Sequence, residues 1–368
     1  MQRLFKLTLL MLVMTAQHVC AQKIKVVDKA GEPVPYASIL TDDAKFIGYT
    51  NLDGELSDVK GADRINITHI AYKTKAVETR SLPNGLVTLD DAEFNLGEVT
   101  VKPRPYVYIQ TYYRLYYYSE KDGIVYYRAG LTDNTYDTVK KKMTSKTKHI
   151  AKAEMGILKV LLGAIIGSKV DENSHISTNT MEQRLLKRGE AAKLKITEVA
   201  PGKKLITDFK GNIGVITDNR STHQRRYSMD AWAIYLHKIE AEGKTKKLGK
   251  VEERQEHKKN KVENDFFVYR IDEDGNYRPE DFVMSQYLTS YDTEEKDGST
   301  DHVIVSVQVF TTERAYVDKN ELNELKQKNK MKLTYDNIMR FEKDHDIPPI
   351  APVVQKKLDE IWKKDKTD

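Results

Sequence analysis

Cysteine is almost missing from this chain: Cys20 is the only one in 368 residues. It lies in the apolar leader at the start, so a chain that sheds the leader carries no thiol. Disulfides, thiolate catalysis and sulfur-ligated metals are then excluded together. Long apolar runs are scarce as well. After the leader the most apolar stretch is Met155–Ile166, which contains Lys159 and falls short of the ~20 residues needed to cross a bilayer. A buried helix is the expected fate of that stretch, with a segment lying in a membrane interface as the alternative. An excess of one charge is lacking too: 60 Lys and Arg stand against 55 Asp and Glu, a net +5. Nucleic-acid binding, which needs a concentrated basic surface, is not expected. The lysine runs Lys140–Lys148 and Lys244–Lys250 read as solvated faces, with contact to an anionic membrane surface as the weaker alternative.

Motifs for chemistry are equally thin. There is no Gly-x-Ser-x-Gly elbow and no Gly-x-x-x-x-Gly-Lys phosphate loop. Asp272-Glu-Asp-Gly-Asn276 lacks the sixth-position glycine and twelfth-position glutamate of a calcium loop, so it reads as a hairpin turn. His237-Lys-Ile-Glu240 has the spacing of two zinc ligands, for which His302 or His345 would have to supply a third. An exposed ion-pairing helix face is the simpler reading. His69 reads as a packed strand residue. No cofactor and no metal is implied.

What is present is a secretory pattern followed by strands. Residues 1–21 pair Arg3 and Lys6 with the apolar run Leu7–Met14 and end on Val19-Cys-Ala21, the form of a signal peptide. Export to the periplasm or the periplasmic face of the outer membrane is therefore expected. Cys20 could instead anchor a lipid, but Gln17-His18-Val19 does not suit the residues that precede a lipidated cysteine. In residues 22–102, short alternating segments are separated by turn signals. They include Ile24–Asp28, the extended Glu32-Pro-Val-Pro-Tyr36, and Gly48-Tyr-Thr-Asn-Leu-Asp-Gly-Glu-Leu56, read as a tight hairpin whose Asp-Gly pair suits positive φ. Arg64–Tyr72 and a strand near Leu86–Leu89 complete a small all-β sandwich.

Three blocks in order carry a resemblance: Gly31-Glu-Pro-Val-Pro-Tyr-Ala-Ser-Ile39, Gly48–Leu56 and Ile65-Asn-Ile-Thr-His-Ile-Ala-Tyr72. They resemble the carboxypeptidase-regulatory-like, transthyretin-like domain, in the version found at the start of exported Bacteroidetes envelope proteins, including many TonB-dependent receptors. The resemblance covers about a fifth of the chain, and Ala71-Tyr72 departs from the usual Gly-Tyr. It implies a folding and interaction module without catalytic residues.

After a linker at 103–106, residues 107–317 read as an α+β domain with an antiparallel sheet, and 318–368 as a helical tail. The tyrosine run Tyr106–Tyr118 alternates. Val107, Ile109, Thr111, Tyr113, Leu115 and Tyr117 make a core face, and the even positions make an amphipathic one. A hairpin turn at Glu120–Gly123 should pair this run with Ile124–Leu131. Cross-strand tyrosine packing with hydroxyls reaching water is the simpler reading of these runs, and Tyr112, Tyr113, Tyr116, Tyr118, Tyr126 and Tyr127 are the candidate ligand or partner surface as the alternative. From Val139 the pattern reads as helical, Ser228 as a helix cap, and Gly243–Asn264 as an exposed connection or solvated helix. Asp318 and Glu321 read as a capping box. The functional expectation is a non-enzymatic envelope protein that binds or assembles with an envelope component. A periplasmic carrier of a lipid or other apolar ligand, held in a curved sheet closed by helix 155–166, is the alternative, and a metal-dependent hydrolase is the remote one.

Overall fold

The computed structural model describes residues 23–43, 45–57, 59, 62–92, 104–154, 176–253, 258–294, 297–328 and 335–364. Residues 1–21, where a leader is expected, and the apolar stretch 155–166, where a buried helix is expected, lie outside these residues. The chain divides into two compact units, Met1–Asp91 and Ala92–Asp368.

The first unit holds seven short strands: β1 (Ile24–Val27), β2 (Ser38–Thr41), β3 (Phe46–Tyr49), β4 (Glu55–Leu56), β5 (Arg64–His69), β6 (Tyr72–Glu78) and β7 (Leu86–Thr88). They form a three-stranded sheet in the order β4-β1-β7 and a four-stranded one in the order β3-β2-β5-β6. Ile24, Val26, Ile39, Ile65, Ile67 and Val87 are buried at alternate positions, as strands with one solvated face require. Thr50 ties the segment together: its hydroxyl donates to the Val34 carbonyl at 2.7 Å and accepts from the Ala37 amide at 2.8 Å. The expected hairpin over Gly48–Leu56 is corrected, because β3 and β4 belong to different sheets and the turn between them carries the chain from one sheet to the other.

Gly54 is the residue that turn depends on. Its φ is +73°, and a Cβ there would lie 2.4 Å from the Val26 carbonyl oxygen. Left-handed backbone costs an alanine about 1–2 kcal/mol, and forcing a methyl against backbone adds about 1–3 kcal/mol. Gly54→Ala is expected to lower the stability of this unit by that sum, read as an earlier urea midpoint. An unchanged midpoint would mean that the turn tolerates another conformation.

The second unit is built on one ten-stranded, wholly antiparallel sheet. Its strands are β8 (Tyr106–Ser119), β9 (Gly123–Asp137), β10 (Lys142–Glu154), β11 (Lys195–Ala200), β12 (Lys203–Asp208), β13 (Gly211–Asn219), β14 (Gln224–Asp230), β15 (Lys258–Arg270), β16 (Phe282–Glu294) and β17 (Thr300–Val317). The order is β10-β9-β8-β17-β16-β15-β14-β13-β12-β11, so every strand except β10 and β11 has two neighbours. The expected β8–β9 hairpin forms, with Gly123 at φ +78° in the turn.

Where the lysine-rich stretch after Val139 was expected to be helical, it is strand β10, paired with β9 from Lys142↔Asp137 to Glu154↔Tyr126. Lys142, Thr144 and Lys146 are exposed while Met143, Ser145 and Thr147 are half-buried, a period of two that the lysines mask in a helical reading.

Among the described residues, six helices accompany the sheet: α1 (Met181–Arg188), α2 (Ala231–Ala241), α3 (Thr245–Glu253), α4 (Lys319–Lys328), α5 (Tyr335–Asp344) and α6 (Pro352–Lys364). The cap of α2 is Asp230, whose carboxylate accepts from the Ala233 amide at 2.8 Å, and not Ser228, which lies within β14. The Asp318–Glu321 capping box does form: Asp318 accepts from the Glu321 amide at 3.0 Å and Glu321 from the Asp318 amide at 2.8 Å.

Candidate functional site

The tyrosine-rich strand β8 lies between β9 and β17, third from one edge of the sheet, and is buried on both faces. Pairing fixes the rows. Tyr113 lies opposite Gly130 on β9 and Val309 on β17, while Arg114 lies opposite Ala129 and Gln308. Odd positions of β8 thus share the face that carries helix α1, and even positions share the face covered by the C-terminal helices.

The tail face is not amphipathic in the sense the alternation suggested. Arg114 is 1% exposed, and its guanidinium donates to Gln308 Oε1 at 2.6 Å, Glu342 Oε1 at 3.0 Å and the Pro348 carbonyl at 2.5 Å. Tyr112 donates to the same Glu342 oxygen at 2.7 Å, and its ring packs on Phe341. Tyr108 donates to Asp133 at 2.8 Å, and Val317 and Tyr108 pack with Leu322 of α4. Burial works against the Arg114 charge, but the Glu342 carboxylate and the neighbouring tyrosines outweigh it and raise the pKa above the ordinary arginine value. Burial likewise pushes the Tyr112 and Tyr116 hydroxyls upward.

The opposite face packs a continuous core around α1. Val107, Ile109 and Tyr113 of β8, Val309 of β17, Phe267 of β15 and Tyr227 of β14 join Met181 and Leu185 of the helix. Gly130 leaves room for Tyr113, whose ring atoms would lie 2.6–2.7 Å from a Cβ at that position. A polar clamp holds the start of α1. Thr180 and Gln183 form a capping box, and Glu182 accepts from Tyr227, Tyr277 and Arg225. Arg225 in turn grips Asp218 through two bonds of 2.7 Å. Burial, then the nearby Tyr277 and Glu182, raise the Tyr227 hydroxyl far above the ordinary range. Further along, Arg188 pairs with Asp265 at 3.3 Å, whose carboxyl is raised by burial against the pull of that arginine.

Past α1 the same face continues as a wall of Leu115, Tyr126 and Val307, with Tyr117 and Tyr287 against it. Among the described residues, no helix contributes to that cluster.

All six candidate tyrosines are therefore interior. Tyr112, Tyr116, Tyr118 and Tyr127 line the tail face and Tyr113 and Tyr126 the α1 face, each at most 6% exposed. Each is enclosed, as cross-strand tyrosine packing requires, and none stands on an exposed face. The hydrolase ligands do not converge either. His237 pairs with Asp208, Glu240 with Lys210, and His345 stacks on Phe341. Among the described residues no group of three potential metal ligands forms. Asp272–Asn276 is a turn, in which the Asp272 carboxylate accepts from the Asn276 amide at 2.7 Å.

One arrangement escaped the sequence reading. Ser290 lies 2.8 Å from His302 Nε2, and His302 Nδ1 lies 2.6 Å from Asp292, on neighbouring strands β16 and β17. The order hydroxyl, imidazole, carboxylate is that of a nucleophile, its base and an orienting acid. Ser290, however, is 0% exposed, so here the three groups satisfy one another inside the sheet. Two residues on one strand and one across from them leave no local motif to find.

No family model matches the chain, and no curated protein matches it. Among solved structures it is similar to a lipovitellin chain, from a structure described as showing lipid–protein interactions in lipovitellin. The identity is 6%, over 58% of this chain and 26% of that one, with a TM-score of 0.28. The chain thus spans about a quarter of that protein's length, and a likeness this distant carries no argument about fold or ligand.

Proposed function

We propose that the protein binds rather than transforms: a non-enzymatic cell-envelope protein in which a carboxypeptidase-regulatory-like, transthyretin-like unit is joined to a larger binding unit. The observation that carries this reading is how the charged and imidazole groups of the large sheet are used. Arg114 is committed to Glu342, Arg225 to Asp218 and Glu182, His237 to Asp208, and His302 to Ser290 and Asp292. Each set is enclosed or half-enclosed and holds two elements together, which is structural work. The leader-like residues 1–21 and the three sequence blocks of the first unit support the compartment and the adaptor role. Crosslinking in intact cells, followed by fractionation and mass spectrometry of captured partners, tests the proposal. Recovery with envelope proteins is expected, and recovery with cytosolic proteins alone would overturn it.

A second reading, a carrier of an apolar ligand, is favoured by the wall of Leu115, Tyr126 and Val307 beyond α1. Protein purified without detergent should then release an apolar compound on organic extraction, and Val307→Asp should abolish that release while the chain stays folded. A wild-type chain that yields nothing would remove this reading.

A further inference from the structure

We infer that the α2–α3 insertion is a docking surface for an anionic lipid bilayer. The inference deepens the envelope reading and rests on it for the membrane that the surface would meet.

Charge points to the place. Residues 238–261 hold eight lysines and one arginine against five glutamates, a net +4 in a chain whose total is +5. The insertion between β14 and β15, strands that pair directly at Asp230↔Asn264, is therefore a basic stretch in a chain that is nearly neutral overall, as are residues 138–153 with six lysines and no acid. Helix α2 rests on β15, and α3 packs on α2.

Two groups of lysine follow. In the first each ammonium lies over an aromatic ring: Lys261, which also pairs with Glu263 at 2.6 Å, is 3.1 Å from the Trp232 centroid, Lys258 is 4.0 Å from Tyr291 and Lys247 is 5.6 Å from Tyr235. Trp232, Tyr235 and Leu236 are half-buried on a helix whose Ile234 and Ile239 are buried. In the second Lys246 and Lys250 stand exposed one turn apart on α3, beside Lys247. Of the described carboxylates nearby, Glu242 is engaged with Lys238 and Lys244 and Glu240 with Lys210. Among the described residues, none pairs with Lys246 or Lys250.

Tryptophan and tyrosine with a lysine fringe suit the headgroup level of a bilayer, where the ring is amphipathic and the ammonium meets phosphate. Each lysine near an anionic surface contributes about 1 kcal/mol, or about fivefold, and the attraction fades within a Debye length. A nucleic acid fits less well, since rings already capped by ammonium groups do not offer open stacking faces.

The test uses the full chain, without its leader, and vesicles of phosphatidylcholine alone or with about one third phosphatidylglycerol. Co-sedimentation is expected only with the anionic vesicles, at about 0.05 M salt and not at about 0.5 M. The triple variant Lys246→Ala, Lys247→Ala, Lys250→Ala should lower the partition coefficient by about 100-fold, with far-UV circular dichroism and melting unchanged. Equal binding to neutral vesicles, a triple variant that binds like the wild type, or a single-stranded oligonucleotide bound as tightly as the vesicles would each overturn the inference. Failure on vesicles while envelope crosslinks persist would remove this docking surface and leave the envelope reading standing.

Discussion

Between about pH 10 and about pH 11.5 the large unit is expected to unfold in one cooperative step, in which tyrosine ionisation and loss of far-UV circular dichroism coincide. Burial holds the hydroxyls of Tyr112, Tyr116, Tyr227 and Tyr269 above the ordinary tyrosine value, that of Tyr269 up to about 12. All four are at most 6% exposed. The sign follows from linkage: a folded pKa above the unfolded one contributes stability that is complete below about pH 10 and lost as the pH rises toward the folded value. Each pH unit above that point removes about 1.4 kcal/mol per tyrosine. Four together remove about 5 kcal/mol per unit, comparable with the whole stability of a domain, about 5–15 kcal/mol. Absorbance that titrates near pH 10 while the circular dichroism persists would mean that these rings are not enclosed as described.

Removing the Glu342 carboxylate is the second large change. Glu342→Ala leaves the Arg114 guanidinium, 1% exposed, with no counter-charge and deprives Tyr112 of its acceptor. Breaking one side of a buried ion pair costs about 3–5 kcal/mol, chiefly through the stranded charge. The urea midpoint should fall accordingly. Because the cost lies in the unpaired ion, the double variant Arg114→Met, Glu342→Leu should recover much of the loss. A single variant within about 1 kcal/mol of the wild type would show that water or another carboxylate takes over, and that α5 does not depend on this contact.

These two sites also mark where sequence reading reaches and where it stops. Strand period, turn glycines and helix caps are local, and the β8–β9 hairpin, the Asp318–Glu321 box and the positive φ of Gly54 were legible for that reason. The cover on the tail face was not. Arg114 in an alternating strand reads as the solvated half of an amphipathic pattern, and its partner Glu342 lies 228 residues away. Lysine content concealed the period of β10. In the first unit the turn around Gly54 was visible, but the assignment of β3 and β4 to different sheets depends on pairings made by β1 and β2. His302, considered as a zinc ligand, is instead held by Ser290 and Asp292 through strand register that no linear spacing encodes.

The pairing of β8 with β17 sets an order of events. Gln308 follows its contact Arg114 by 194 residues, so a chain emerging from its N-terminal end presents one flank of β8 long before the strand that covers it exists. Until then a row of tyrosines beside unpaired backbone offers itself to any other extended chain. Closing so wide a loop is also slow, because the entropy is lost before the contacts repay it. Truncation ahead of Thr300 should therefore yield aggregates rather than a smaller soluble fold.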